Sequence, residues 1–193
     1  MVRGPRRDIG DCVYHVINRS NGKLCIFHNE RDYADFEYLL NKMRETYDIR
    51  ILAYLIMPNH WPLLLYPKND GDIRKALHWL TTSHVRRHHS RKGTIGHGHI
   101  DQGSYKSFLV QTDTYLLTVL KYIERNAVRA KLCKTVEAWR WGSAYRRLHN
   151  DINLRKILSA SPVPLPRNYR EWISTPEPAE GLKELHDKFN GGK

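Results

Sequence analysis

Tyr122 and Asn126 stand four residues apart in a segment with helical periodicity, so both side chains project from one face of a helix. A phenol oxygen can attack phosphorus and hold the product as a covalent phosphodiester. An amide oxygen one turn away can ligate a hard divalent cation that polarises the same phosphate. The same spacing also suits a Tyr packed on a sheet with an Asn near a helix end. A second feature is the run Met57-Pro58-Asn59-His60-Trp61-Pro62-Leu63-Leu64-Leu65, where one imidazole sits in an otherwise apolar strand. His60 reads as a metal ligand or general base there, or as a core histidine at a hairpin corner.

Cations surround these residues in two groups. One ends a helix at Arg86, Arg87, His88, His89, Arg91 and Lys92. The other runs through Lys121, Arg125, Arg129, Lys131, Lys134, Arg140, Arg146 and Arg147. Trp139, Trp141 and Tyr145 interleave with the second group, and base stacking on aromatic faces is worth roughly 1–3 kcal/mol per base. The 193 residues hold 32 Lys plus Arg against 20 Asp plus Glu, a formal charge of +12. Such an excess points to a polyanion, nucleic acid ahead of an anionic membrane. The residues expected to bind nucleic acid, DNA in the reading that follows, are Arg86, Arg87, Arg91, Lys92, Lys121, Arg125, Arg129, Arg140, Trp141 and Arg146. The longest apolar stretches, Ile51–Met57 and Leu63–Tyr66, fall far short of the roughly 20 residues of a membrane span. Met1–Gly10 is basic but has no apolar run after it, and Cys12, Cys25 and Cys133 lack CxxC spacing. These features exclude a disulfide framework and a Cys-based zinc site, and they suit a cytoplasmic, nucleoid-associated protein.

The elements that must position these groups follow in order. Cys12–Asn18 reads as a strand, and Asn29 or Asp32 can cap a helix reaching about Tyr47. Ile49–Met57 and His60–Tyr66 read as an antiparallel hairpin broken at Pro58-Asn59. A helix over Ile73–His89 with Asp72 as cap, a glycine-rich loop over Gly93–Gly103, a strand over Tyr105–Gln111 and a helix over Thr114–Ala130 complete the pattern. The order β-α-β-β-α-β predicts an α+β, ferredoxin-like split βαβ fold: an antiparallel sheet with helices on one face, plus an added C-terminal helix and tail. Residues 5–148 form the expected domain and 149–193 a Pro-rich, basic tail.

With these residues in view, Met57–Pro67 resembles the signature strand of the HUH single-tyrosine transposases. The wider pattern resembles their REP-associated branch. The matching segments begin at Tyr14, Met57, Asp101, Leu116 and Glu137, and together they cover roughly residues 5–148 in the family's order. The resemblance implies a usually dimeric protein acting on single-stranded DNA with a hairpin. The implied chemistry is metal-assisted attack by Tyr122, leaving a 5′-phosphotyrosine and a free 3′-OH. It also implies His60 and Asn126 as ligands of Mg²⁺ or Mn²⁺. The family's second histidine falls at Pro62, which has no donor atom, so any ion is weakly held. His15, on a neighbouring strand, is the nearest substitute. Two other readings remain: a hairpin-binding module without catalysis, and an RNA-binding protein using an open sheet.

Overall fold

The computed structural model describes residues 8–20, 24–92, 105–149 and 156–190. The expected loop over Gly93–Gly103 lies outside the described residues. Four strands, β1 (Val13–Arg19), β2 (Arg50–Tyr54), β3 (His60–Tyr66) and β4 (Lys106–Val110), form one sheet in the order β2-β3-β1-β4, and every neighbouring pair is antiparallel. Helices α1 (Glu30–Tyr47) and α2 (Asp72–Lys92) are the crossovers. Then come α3 (Asp113–Glu124), α4 (Asn126–Arg129), α5 (Ser143–Leu148), α6 (Tyr169–Ser174) and α7 (Ala179–Asn190). The α+β split βαβ arrangement is present.

Alternation along β1 divides the core. Tyr14 and Val16 face α1 and α2, where Phe36, Leu40, Leu77 and Leu80 meet Trp61, Leu63 and Leu65 of β3. Val13 and Ile17 face the other way, with Leu64 and Val110, and this side is covered by Leu116, Val119, Leu120 and Ile123 of α3. The helix added after the split βαβ unit therefore closes the second face. Leu185 and Phe189 of α7 join that layer. The caps follow the chemistry of their residues. Asn29 accepts from Asp32 N at the start of α1, and Thr112 accepts from Tyr115 N at the start of α3.

Strand β2 is shorter than its apolar run predicts, for two reasons. The ladder slips between Ile51 and Ala53, so Leu52 and Ala53 both reach the α3 face. Further on, Leu55 N donates to Pro62 O at 3.1 Å, but proline has no N–H to return. The chain leaves the sheet there, and Leu55 bridges to Gly142 while Ile56 N bonds Trp141 O at 2.8 Å.

Candidate functional site

His60 opens β3 immediately after a two-residue turn. Met57 N bonds His60 O at 2.9 Å across Pro58-Asn59, which closes the hairpin. Period 2 along β3 puts His60, Pro62 and Leu64 on the α3 face. The turn also orients the ring, because Asn59 Oδ1 lies 2.8 Å from His60 Nδ1. An amide oxygen can only accept, so Nδ1 carries the proton and the Nε2 lone pair points outward from the turn. Burial, with Arg19 second, holds the imidazole down to about 4, so it is neutral at pH 7.

Asn126 meets that lone pair: its side-chain amide nitrogen lies 3.4 Å from His60 Nε2, across 66 residues of sequence. The path between them is α3, whose helical course is interrupted at Arg125 and continues in α4 until Lys131, at φ 58°, ends it. Tyr122 lies one turn earlier. Its ring is buried against Phe189, at 5.7 Å between centroids, and the edge of His15, at 6.2 Å. Arg129 spans the turn from α4, with its guanidinium 4.2 Å from the Tyr122 ring centroid and one nitrogen donating to Tyr122 O. Burial raises the Tyr122 phenol above its ordinary range, and the charges of Arg129 and Arg19 pull it back.

Arg19 is a residue that side-chain chemistry did not single out in the sequence. It ends β1 and is the direct cross-strand partner of His60, so the two side chains rise from the same face roughly 5 Å apart at Cβ. It is exposed and has no carboxylate partner among the described residues. Its place in the segment beginning at Tyr14 was the available signal, but only the strand register brings it to His60.

The expected divalent ion meets a poor donor set. His60 offers one nitrogen and Asn126 one oxygen, position 62 is a proline ring, and Arg19 places a positive charge opposite. Among the described residues no group of three His, Cys, Asp or Glu could hold a metal. These residues do not fit a resident Mg²⁺ or Mn²⁺. His15 does not repair the set. It pairs with Leu64, four strand residues from His60, about 13 Å along the sheet. Its ring is fully buried, 4.2 Å from Phe189 between centroids, and burial alone holds it down to about 3.

The cationic residues divide by burial. Arg86 and Arg140 are exposed. Arg87 and Arg91 reach Asp35 on α1, and Arg87 also lies 4.6 Å from the exposed Tyr38 ring. Lys121 lies over Trp172 at 5.2 Å. The side chain of Lys92 lies outside the described residues. Three arginines are turned inward instead. Arg125 bonds Glu177 at 2.8 Å and the carbonyls of Ile173 and Ser174, and Arg129 bonds the same carboxylate at 2.6 Å. Arg146 is paired with Glu37 and Tyr54 in the interior. Trp141 is likewise a core residue, stacked on Tyr33 at 5.2 Å with 17° between planes, and cannot serve as an open base platform in this arrangement.

Comparison with known proteins follows this geometry. The family described as "Transposase IS200 like" matches residues 8–126. A solved structure described as the REP-associated tyrosine transposase bound to a REP hairpin superposes with a TM-score of 0.64 at 17% identity, covering 85% of this chain and 94% of that one. A crystal structure of a candidate transposase from Deinococcus radiodurans R1 gives 0.45 at 19% identity, over 65% of this chain and 95% of that one. No curated protein matches the chain. The first structure shares the fold, and the family match takes in β1, the His60 hairpin and the chain as far as Asn126: the protein belongs to the IS200-like transposase family.

Proposed function

We propose that the protein binds single-stranded DNA bearing a hairpin and cuts and rejoins one strand through Tyr122. The observation that carries this reading is the meeting of His60 Nε2 and the Asn126 amide at 3.4 Å, one helical turn from a phenol flanked by Arg129. In the first step the Tyr122 Oη–phosphorus bond forms and the P–O3′ bond breaks. The phenol proton leaves to water and the departing 3′ oxygen takes one up, giving a 5′-phosphotyrosine and a 3′-OH. Rejoining reverses the exchange with a new 3′-OH.

Family members generally use a divalent metal. Here the side chains have other work to do. Asn59 fixes the His60 tautomer, and the His60–Asn126 pair offers a lone pair and an amide donor at the edge of the site. Arg129 favours the phenolate over the phenol. Phe189 and His15 exclude water from one side of the Tyr122 ring. The DNA partner is carried over from the hairpin-bound structural neighbour and from the +12 charge. The surface cations for it are Arg86, Arg87, Arg91 and Arg140. A homodimer belongs to the same proposal, and light scattering of the full chain tests it.

The test is a 3′-labelled hairpin oligonucleotide with single-stranded flanks, incubated with protein and separated under denaturing conditions, because the 5′-phosphotyrosine retains the 3′-side fragment. A covalent adduct that Tyr122→Phe abolishes supports the reading. A second reading, a hairpin binder without strand cutting, is favoured by Pro62 and by the covered Tyr122 ring. It predicts tight binding to the same probe with no adduct at any metal concentration.

A further inference from the structure

We infer that Arg19 is a phosphate-binding residue of this site, supplying the positive charge beside His60 without a metal. The inference rests on the reading of the site as one for single-stranded DNA and names the group that holds the scissile or adjacent phosphodiester.

Four observations converge on it. Arg19 and His60 are direct partners in the β1–β3 ladder, so their side chains leave the same face of the sheet roughly 5 Å apart at Cβ. Arg19 is exposed, and among the described residues no carboxylate pairs with it, whereas Arg125, Arg129 and Arg146 are each committed to a glutamate. It is the cation whose charge reaches both His60 and Tyr122. Finally, Pro62 leaves the neighbouring donor position empty of any ligating atom, beside Ile17 on the same face.

These facts have one electrostatic meaning. A divalent ion next to His60 would face the positive charge of Arg19, its direct cross-strand partner, with only two neutral donors to hold it. A phosphodiester in that position meets a planar fork of N–H donors suited to two phosphate oxygens at once. Arg19 therefore favours the anion and opposes the metal. The Asn126 amide nitrogen, turned toward His60 Nε2 at 3.4 Å, adds an N–H donor beside the same imidazole.

The experiment uses the full chain and a fluorescently labelled hairpin oligonucleotide with a single-stranded flank, read by anisotropy over a salt series. The variants are Arg19→Gln and Arg19→Lys, with circular dichroism to confirm folding. The wild type is expected to bind equally in EDTA and in Mn²⁺. Arg19→Gln is expected to weaken binding about tenfold and to reduce the salt slope by about 0.7, the value of one phosphate contact to a single strand. Arg19→Lys should restore the slope but only part of the affinity, because it keeps the charge and loses the fork. A second readout needs no DNA: Mn²⁺ binding to Pro62→His, measured calorimetrically, should tighten at least fivefold when Arg19→Gln is added. Equal oligonucleotide affinity and slope for wild type and Arg19→Gln would overturn the assignment while leaving the DNA reading intact. So would wild-type binding that is lost in EDTA. A wild type that binds no oligonucleotide at low salt removes the DNA reading itself, and the assignment with it.

Discussion

Replacing His15 with leucine should remove a large part of the protein's sensitivity to acid. The His15 ring is fully buried, neither ring nitrogen has a hydrogen-bond partner among the described residues, and burial holds it down to about 3 against an ordinary value of 6.5. Below pH 6.5 the unfolded chain takes up a proton that the folded chain refuses until near pH 3. The unfolded state then binds more protons, so stability falls as pH drops through that window. The slope is about 1.4 kcal/mol per pH unit per group. Between pH 6.5 and pH 5 the loss is therefore about 2 kcal/mol from His15. His84, buried against Phe27 and also held down to about 3, contributes a similar amount. Against a typical domain stability of about 5–15 kcal/mol these losses are large. Urea unfolding at pH 7.5 and pH 5.0, followed by far-ultraviolet circular dichroism, measures them. His15→Leu should recover about 2 kcal/mol of the difference between the two pH values. At pH 7.5 it should be more stable by about 1 kcal/mol, since it removes unpartnered buried polar atoms. His84→Leu in addition should recover about 2 kcal/mol more of the acid-induced loss. If His15→Leu loses as much stability as the wild type between the two pH values, the imidazole is not held neutral inside the fold and the reasoning fails.

Three further outcomes are expected. Glu177→Gln leaves the Arg125 and Arg129 guanidiniums without their shared counter-charge, and should lower stability by about 3 kcal/mol in the same urea assay; an unchanged midpoint would refute the clamp. Trp141→Ala should cost about 3–4 kcal/mol through lost stacking on Tyr33, yet bind the hairpin probe within about threefold at matched folded fraction, whereas a tenfold loss would restore Trp141 as a base contact. Pro62→His should raise Mn²⁺ affinity at least about tenfold and add a ladder donor toward Leu55; calorimetry showing no gain would mean that position 62 does not face His60's partners.

Much of this arrangement was legible because it rests on local chemistry. Asn29 as a helix cap, Pro58-Asn59 as a hairpin turn and the split βαβ order all follow from short-range signals. Tyr122 and Asn126 follow from a spacing that a helix enforces, although the interruption at Arg125 does not show in the pattern. What escaped was set by partners far along the chain. Nothing near Arg125 announces that Glu177, 52 residues on, will take its charge. Trp141 looks like a free aromatic among cations until Tyr33 is placed beneath it. The early end of β2 is written in a different strand, at Pro62. Arg19 became a site residue only through register, which depends on which strands pair and not on the residue's own neighbours.

The covering of the sheet on both sides has a consequence for access. With α1 and α2 over one face and α3 and α7 over the other, the described residues leave no broad β-surface on which a row of bases could lie flat. The polar groups gather at one corner, where β1 runs out at Arg19 and β3 begins at His60. A corner is entered by a tip. For the proposed single-stranded substrate, such a corner suits a strand end or a looped-out nucleotide better than a continuous stack of paired bases, because helices cover both sheet faces. Under the function proposed above, discrimination between paired and unpaired DNA would arise from shape at the entrance, before any base is read.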